Sequence, residues 1–374
     1  MSSRKKIVIV AGDKSGDLYG GMLSKKLKEK FTPLDSNHLT GFTSIEIFSF
    51  GGSNLAQYSH QIINLLSYSV CGILEVLSSL GKILHIFRKT IQEIDRLKPD
   101  LIILIDFPDF NLKLAKTLNK KYTLFYYVSP QVWAWREKRV ELIKKYVDKM
   151  IVIFKFEEDF YRKKGIDVFY FGHPLLEIIQ TMNIETKKII SFLPGSRKNE
   201  IKRHLPIMLE AKKIMEKELN NYRFRIIRPE NIEIAFYKKL SGQINIVNHS
   251  LGALEESEFI ITSSGTATVE ITIIGIPFLI IYKVNPISWQ ILRKIVKTKF
   301  IGMVNILAGE KIIEELVQEK ANPQNIAKKS LEIIKNKEKY NHLRKDLNKV
   351  KEILTPYGAG EKFADFIVRY LNLP

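Results

Sequence analysis

The chain has 374 residues, 45% of them hydrophobic, and this length is typical of two domains of about 150 to 200 residues each. Its net charge of +19 favours a polyanionic partner such as nucleic acid, an anionic membrane surface or a phosphorylated ligand. The single cysteine, Cys71, excludes an internal disulfide framework and a cysteine-rich metal site, which fits a reducing, cytosolic compartment.

The charge pattern and the apolar runs set further limits on function. Lysines are spread over amphipathic patterns along the whole chain, so a general bias towards lysine is an alternative explanation of the charge. No helix-turn-helix, aromatic RNA-binding motif or zinc finger is present, and nucleic acid therefore ranks below the other two partners. No stretch reaches the roughly 18 to 20 apolar residues of a membrane span, so we expect a soluble or peripheral protein.

Short apolar runs alternate with helical patterns, which predicts doubly wound α/β layers with parallel strands. In the first half we predict strands at 6–12, 45–52, 100–106, 122–128, 149–154 and 168–172. In the second half we predict them at 188–196, 223–229, 244–247, 258–265 and 277–284. A turn and a polar stretch at 173–187 indicate the join between two domains, and helical patterns fill 324–374.

The first predicted strand ends in AGDKSGDLYGG, from residue 11 to 21. Gly12 and Gly16 allow tight turns and close backbone approach, and Ser15 or Asp17 can cap the helix that follows. Such a helix N-terminus can attract an anion or sugar hydroxyls. An ordinary strand-to-helix turn explains the same residues.

The third predicted strand ends in LIDFPDFN, from residue 104 to 111. In open parallel sheets ligands bind beyond the carboxyl ends of the strands, so Asp106 is well placed to act as a general base. It ends an apolar run, and partial burial raises the basicity of a carboxylate. The alternative is an aspartate that only caps its loop.

Two loops in the second half have the features of anion sites. FLPGSRKNEI (192–201) brings Gly195, Ser196 and Arg197 to a helix start, where backbone N–H groups and a guanidinium can hold a phosphate. ITSSGTATVE (261–270) repeats the arrangement, and its last residue can accept hydrogen bonds from ribose hydroxyls. The candidate residues of this second loop are Ser263, Ser264, Gly265, Thr266 and Glu270. The pair of loops predicts a nucleotide-diphosphate site, although Arg197 can also be a solvated surface residue.

Three other segments have less specific patterns. The loop MVNILAG (303–309) contains Asn305 and is either a packed connection or part of the site. The segment 62–87 is apolar on more than one helical face, so it is either buried or in contact with lipid. Its residues of interest are Ile73, Val76, Leu77, Leu80 and Leu84. VSPQVWAWREKR (128–139) places Trp133 and Trp135 after a strand, where they either line a pocket or pack under the loop.

With these segments in view, the chain resembles the lipid-A-disaccharide synthase family of GT-B glycosyltransferases. The matching blocks follow one another from near the first residue to the last third of the chain: AGDKSGDLYG, GILEVL, IDFPDFN, YYVSPQVWAWREKR, FGHPLLE, LPGSRKNEI, SSGTATVE and VKTKFIGMVNILAG. Asp13 and Lys14 stand where the family usually has Glu-Ala. The resemblance implies two Rossmann-like domains that face each other across a cleft.

The resemblance also implies a domain division and a reaction. An acceptor-side domain would span 1–180 and include a returning C-terminal helix at about 350–374, and a UDP-sugar domain would span 181–349. The family condenses UDP-2,3-diacylglucosamine with 2,3-diacylglucosamine 1-phosphate by inverting displacement, which yields a β-1′,6-linked disaccharide 1-phosphate and UDP. No cofactor is expected, and the sequence has no Asp-x-Asp metal motif.

Residue roles follow from the resemblance in the same way. Asp106, Arg197 and Asn305 would be catalytic, and the loops at 195–197 and 263–266 together with Glu270 would bind the UDP-sugar. The acceptor pocket would be formed by Asp13, Ser15, Gly16, Asp17, Ser129, Trp133, Trp135 and Arg136. Arg139 would join Arg136 in facing phosphate. The 69–86 helix would lie against the cytoplasmic face of the inner membrane, and a homodimer through the C-terminal region is expected.

Two other functions fit the same residues. A UDP-sugar 2-epimerase of the same architecture would need a water-soluble substrate and no exposed apolar helix. A non-catalytic basic protein that binds the membrane periphery would lose nothing when Asp106 is replaced.

Overall fold

The computed structural model describes residues 4–31, 45–67, 76–179 and 187–373. The chain forms two compact units. The N-terminal unit comprises Met1–Glu177 and Pro356–Pro374, and the C-terminal unit comprises Ile178–Thr355.

The N-terminal unit is a sheet of parallel strands with helices between them. Its strands are β1 (Lys5–Ala11), β2 (Ile45–Gly51), β3 (His60–Asn64), β4 (Leu101–Ile105), β5 (Leu124–Tyr127), β6 (Lys149–Val152) and β7 (Val168–Tyr170). Its helices are α1 (Lys14–Phe31), α2 (Ser53–Ala56), α3 (Val76–Leu97), α4 (Pro108–Leu118), α5 (Val140–Tyr146) and α6 (Lys155–Lys163). Helix α7 (Leu175–Ile179) spans the end of this unit and the start of the next. The strand order is β3-β2-β1-β4-β5-β6-β7.

The C-terminal unit has the same type of parallel sheet. Its strands are β8 (Lys187–Leu193), β9 (Arg223–Arg228), β10 (Asn245–Asn248), β11 (Ser257–Ser263), β12 (Phe278–Tyr282) and β13 (Glu315–Val317). Its helices are α8 (Lys198–Glu216), α9 (Ile234–Ser241), α10 (Leu251–Glu255), α11 (Ala267–Ile274), α12 (Pro286–Ile295), α13 (Met303–Ala308), α14 (Pro323–Ile334) and α15 (Lys337–Ile353). The strand order is β10-β9-β8-β11-β12-β13.

The central strands are apolar because helices cover both faces of each sheet. Every residue of β4 is buried, and the same holds for the last five residues of β1. The core of the C-terminal unit is built in the same way, with Phe192, Phe259 and Leu279 fully buried on adjacent strands. The predicted fold class, two doubly wound parallel-sheet domains, is confirmed.

The last helix, α16 (Ala359–Tyr370), packs within the N-terminal unit. The Glu177 carboxylate caps its first turn by accepting a hydrogen bond from the backbone N–H of Gly360 at 2.5 Å. Phe363 of the same helix contacts the ring of Tyr127 on β5, with the ring centroids 4.9 Å apart. Because of this aromatic contact the end of the chain belongs to the core of the N-terminal unit.

All the predicted strands are present to within three residues at either end, whereas β3 and β13 were missed. Both missed strands are short edge strands, and β3 has the sequence HQIIN with most of its residues outside the core. Among the described residues no helix is long and apolar enough to cross a bilayer.

Candidate active site

Each sheet reverses its direction of strand addition at one point, and the predicted loops lie there. In the N-terminal unit the chain passes from β1 to β2 and β3 on one side, then continues at β4 on the other. The loops after β1 and β4 therefore flank the crevice where open α/β sheets bind ligands. In the C-terminal unit the equivalent loops follow β8 and β11. All four predicted loops stand at these two positions.

Asp13 and Asp106 form a carboxyl pair at the first of these points. Burial is the main cause that raises the pKa of Asp106 well above its usual range, followed by the charge of Asp13 and the hydrogen bond between the two side chains. Burial also raises the pKa of Asp13, while a hydrogen bond from the backbone N–H of Gly16 to its Oδ1 at 2.6 Å acts in the opposite direction. Asp106 is thus a carboxylate of increased basicity whose proton is shared with a neighbour.

The backbone that presents Asp106 has an unusual conformation. Asp106 and Phe107 have φ angles of 42° and 46°, a region that costs non-glycine residues on the order of 1–3 kcal/mol each. The turn is held by Asn111, whose buried Nδ2 donates to the carbonyl oxygens of Ile105 at 3.1 Å and of Asp106 at 2.8 Å. Tyr126 adds a hydrogen bond from its hydroxyl to the Asp106 carbonyl at 2.6 Å. Strain maintained by buried partners is a common feature of functional sites.

Gly12 is required by the same turn. A Cβ atom at this position would lie 2.1 Å from Cδ1 of the Phe107 ring, which occupies that space. We expect Gly12→Ala to destabilise the protein by about 1–3 kcal/mol, because the ring and the strained turn must shift. Chemical unfolding measures the loss, and Gly252→Ala is the control because a Cβ there meets nothing within 4 Å. Equal stability of the two variants would contradict this role of Gly12.

The loop that carries Trp133 and Trp135 (128–139) is anchored by Glu157 of α6, a residue that the sequence analysis missed. Its Oε1 accepts hydrogen bonds from Ser129 Oγ at 2.5 Å and from Trp133 Nε1 at 2.9 Å. Trp133 is half-buried and packs edge-on against Phe156 with centroids 4.9 Å apart. Val128, directly before Ser129, has a φ of 63°, which is rare for a β-branched residue.

Burial raises the pKa of Glu157 to about 7, although Ser129 and Trp133 donate to its carboxylate. The negative charge of Glu157 in turn contributes to the raised pKa of Asp106. Since the ordinary pKa is 4.5, the stability that Glu157 contributes is complete below about pH 4.5 and is lost as the pH rises through about 7.

We therefore predict a pH-dependent signal from Glu157. In a Trp135→Phe, Trp289→Phe protein, in which Trp133 is the remaining indole, the fluorescence should titrate with a midpoint near pH 7. Glu157→Gln should remove this transition. In this variant the free energy of unfolding, measured in urea, should also fall less between about pH 5 and about pH 8 than in the parent protein. Identical titrations with and without Glu157→Gln would show that another group is responsible.

Trp135 and Arg136, in the same loop, are exposed. Trp135 is 37% exposed, and the guanidinium carbon of Arg136 lies 4.2 Å from the centroid of its ring. Asp109 pairs with Arg136 at 3.2 Å and also with Arg139. The two indoles thus have different surroundings: Trp133 is half-buried, whereas Trp135 and Arg136 are exposed.

The side chain of Asp17 is fully buried and holds a neighbouring segment in place. Its Oδ1 accepts from the backbone N–H of Gly52 at 2.6 Å, and its Oδ2 accepts from the N–H of Asn54 at 3.0 Å. Further hydrogen bonds come from the Asn54 side chain and the N–H of Leu55. The carboxylate caps the start of α2, and the place of Asp17 in the acceptor pocket stays a prediction. Ser15 is half-buried, and Gly16 packs closely on Ile105.

The apolar segment of the N-terminal unit is only partly described. Ile73 lies outside the described residues, and of Val76, Leu77 and Leu80 only the helical backbone of α3 is described. Leu84 is 41% exposed and Ile83 is 37% exposed, whereas Ile86 and Phe87 are buried in the core. Beyond Leu80 the helix therefore has one core face and two exposed apolar side chains, Ile83 and Leu84.

In the C-terminal unit, the loop after β8 is shaped by Gly195 and Glu200. Gly195 has a φ of 132°, and a Cβ there would lie 2.7 Å from the Glu200 side chain. The Glu200 carboxylate accepts from the backbone N–H of Ser196 at 3.1 Å and pairs with Arg197 at 3.0 Å. The Arg197 side chain is 81% exposed at the N-terminus of α8 and is available to an anion.

His204 is a second residue that the sequence analysis missed. The backbone N–H of Lys283 donates to its Nε2 at 3.0 Å, which leaves Nδ1 as the protonated nitrogen that donates to the carbonyl of Pro194 at 2.8 Å. Burial lowers the pKa of His204 and favours this neutral form. The ring joins the end of β12 to the start of the Gly195 loop.

The loop after β11 presents small polar residues. Gly265 and Thr266 are exposed, Ser263 is half-buried, and Ser264 donates from Oγ to the carbonyl of Ile301 at 2.9 Å. Behind them, Oε2 of Glu270 lies 2.9 Å from Nε2 of His249.

Asn305 is fully buried, and every hydrogen-bonding position of its amide is used. Its Nδ2 donates to the carbonyl of Ile313 and to Glu315 Oε1, both at 2.8 Å. Its Oδ1 accepts from the N–H groups of Ile312 at 2.9 Å and Ile313 at 2.8 Å. Glu315 in turn accepts from the N–H groups of Ile301 and Gly302. Asn305 therefore positions the segment that receives the Ser264 hydrogen bond, and its catalytic role stays a prediction.

Comparison with known proteins decides the family. The family model of lipid-A-disaccharide synthetase matches residues 7–358. The chain belongs to the lipid-A-disaccharide synthetase family. The synthase of Sulfurihydrogenibium sp. (strain YO3AOP1) is 36% identical over 393 residues, with 97% of each chain covered. That of Syntrophus aciditrophicus (strain SB) is 34% identical over 379 residues, with 96% of each covered.

Solved structures share the fold at low identity. The S. aureus MnaA–UDP structure has a TM-score of 0.67 at 16% identity and covers 99% of this chain and 98% of that one. The Neisseria meningitidis UDP-GlcNAc 2-epimerase, bound to UDP-GlcNAc, has a TM-score of 0.66 at 12% identity and covers 97% and 100%. At such identities the likeness shows only the fold. The family model and the relatives confirm the predicted glycosyltransferase of lipid A biosynthesis at the level of the family, and they do not favour the epimerase.

Proposed function

We propose that the chain condenses UDP-2,3-diacylglucosamine with 2,3-diacylglucosamine 1-phosphate and releases UDP. The observation that carries this proposal is the Asp13–Asp106 carboxyl pair, which stands at the reversal point of the first sheet with the pKa of Asp106 raised by burial. Membership of the synthetase family supports the choice of substrates. The reaction needs one strong base near the acceptor hydroxyl, and Asp106 has the required chemistry.

In the N-terminal unit, Asp106 takes the proton of the acceptor 6-hydroxyl while that oxygen attacks C1 of the donor sugar. The bond from C1 to the diphosphate oxygen breaks, and the electron pair leaves with UDP, so the configuration at C1 is inverted. Asp13 positions Asp106, and Ser15, Gly16, Ser129 and Trp133 form the wall of the acceptor pocket. Trp135 and Arg136 with Arg139 face the acceptor phosphate, where Asp109 holds the two guanidinium groups in place.

In the C-terminal unit, Arg197 and the N-termini of α8 and α11 bind the diphosphate, because the guanidinium and the positive ends of the two helix dipoles attract negative charge. The backbone and hydroxyl groups around the diphosphate come from Gly195, Ser196, Ser263, Ser264, Gly265 and Thr266. Glu270 accepts from the ribose hydroxyls. These groups stabilise the charge that develops on the leaving UDP.

The proposal includes attachment to the cytoplasmic face of the inner membrane and assembly as a homodimer through the C-terminal region. Both substrates carry acyl chains, and α3 offers the exposed side chains of Ile83 and Leu84 to lipid. Lys82, Arg88 and Lys89 are exposed on the same helix and suit an anionic surface, at about 1 kcal/mol per basic residue.

Release of UDP from single and paired substrates tests this function. The transferase needs both sugars, so UDP should appear only when UDP-2,3-diacylglucosamine and 2,3-diacylglucosamine 1-phosphate are present together. A 2-epimerase would instead convert a water-soluble UDP-sugar in the absence of acceptor. Such a conversion, without UDP release from the paired substrates, would reject the proposal.

A further inference from the structure

Helix α12 has no side chain that is buried in the protein among those described. Ile287 is 73% exposed and Ile295 is 45% exposed, while Trp289 and Leu292 are half-buried. Asn285 caps the helix by accepting from the N–H of Ile287 at 2.9 Å, and Pro286 follows at the first helical position. A helix of ten residues gains little stability in water without burying an apolar face. Its amphipathic sequence therefore indicates an occupant that covers it.

The spacing of residues divides α12 into two surfaces. Ile287, Leu292 and Ile295 fall on one arc of the helix. Arg293 falls outside this arc, and Lys294 lies at its edge beside Ile287, seven residues earlier. No acidic residue occurs between Glu270 and Glu310 in the sequence. Basic residues in this interval are Lys283, Arg293, Lys294, Lys297 and Lys299. An apolar arc beside an excess of positive charge matches an anionic lipid surface.

Both ends of α12 are connected to the loops that we assign to UDP. Before it, the N–H of Lys283 donates to His204, which also holds the carbonyl of Pro194 at the start of the Gly195 loop. After it, the carbonyl of Ile301 accepts from Ser264 in the second loop. The helix is thus placed beside the site where the head group of an acylated sugar nucleotide would be held.

We propose that α12 is a second membrane-contact element, which lies in the interface of an anionic bilayer and lets the acyl chains of the donor remain in lipid. The assignment to the donor side rests on the proposed function, whereas contact with lipid does not. Membrane binding can therefore be measured without substrate.

Quenching of Trp289 tests the contact directly. A Trp133→Phe, Trp135→Phe protein, in which Trp289 is the remaining indole, is mixed with vesicles of phosphatidylglycerol and phosphatidylcholine that carry bromine on their acyl chains. We expect its fluorescence to be quenched by these vesicles and not by pure phosphatidylcholine, because binding requires negative charge. Vesicle binding of the protein without quenching of Trp289 would overturn the proposal.

Paired substitutions give a second test. In the otherwise unchanged chain, Ile287→Ser with Ile295→Ser should weaken binding to these vesicles about tenfold or more, because the apolar arc is lost. The control is Ile234→Ser with Ile353→Ser, which removes two isoleucines that are each 41% exposed on α9 and α15. Equal loss in both pairs would overturn the assignment to α12.

Other occupants of the helix give different results. If a second copy of the chain covers α12, Ile287→Ser with Ile295→Ser changes the sedimentation of the protein without vesicles and leaves its affinity for vesicles unchanged. If the N-terminal unit covers it, the pair slows turnover of short-chain, water-soluble substrates while vesicle affinity is unchanged. Either result contradicts lipid contact. Absence of turnover in every variant, combined with quenching of Trp289, would reject the proposed function and leave the membrane contact in place.

Discussion

We expect Asp106→Asn to lower the rate of disaccharide formation by about 10²–10⁴-fold, the usual contribution of a general base. The amide keeps the size of the side chain and cannot accept the proton of the acceptor hydroxyl. In the wild type, kcat/KM should rise with pH as Asp106 loses its proton, and this rise should lie above the usual range for an aspartate because burial and Asp13 raise its pKa. Initial rates of disaccharide formation across a pH series measure both effects.

The matched control is Asp159→Asn, which neutralises an exposed carboxylate on α6 of the same unit. It should keep the wild-type rate and pH profile. Retained activity in a folded Asp106→Asn protein would remove Asp106 as the base and would favour a non-catalytic role for the chain.

We expect Arg197→Ala to lower kcat/KM for the donor by about 10²–10³-fold, because one charged hydrogen-bond donor to a developing anion is lost. The side chain is 81% exposed and contacts only Glu200 among the ion pairs of the described residues, so its removal disturbs little of the fold. Arg197→Lys should recover part of the loss, since lysine keeps the charge without the bidentate geometry. Steady-state rates at varied donor concentration and calorimetric titration with UDP measure the two effects.

Lys202→Ala is the control for Arg197, because it removes an exposed positive charge further along α8. If both substitutions weaken UDP binding to the same small degree, general charge attracts the nucleotide and Arg197 has no specific role.

The sequence predicts the four loops correctly because their positions depend on local pattern. An apolar run followed by glycine and small polar residues indicates a strand end that enters a helix, and Gly195–Arg197 and Asp106 lie at such ends. The strand order then brings the loops together in pairs, since β1 neighbours β4 and β8 neighbours β11. That adjacency follows from the general rules of doubly wound sheets.

Residue roles that depend on distant partners could not be predicted. The carboxylate of Asp17 looks like a helix cap for its own helix, but it caps α2, which lies more than thirty residues further along the chain. The sequence leaves Asn305 either in a packed connection or in the site, and its four hydrogen bonds to 312–315 are visible only in the structure. Glu157 and His204 do not belong to a local sequence motif. The sequence indicates them only as titratable residues on the helix face that the apolar pattern predicts to be buried.

Product analysis tests the central claim most directly. The purified protein is incubated with UDP-2,3-diacylglucosamine and 2,3-diacylglucosamine 1-phosphate, and the lipid product is identified by mass spectrometry and its linkage by nuclear magnetic resonance. We predict one β-1′,6-linked disaccharide 1-phosphate for each UDP released by the wild type, and none from Asp106→Asn. UDP release without a disaccharide, or a disaccharide made equally well by Asp106→Asn, would contradict the account.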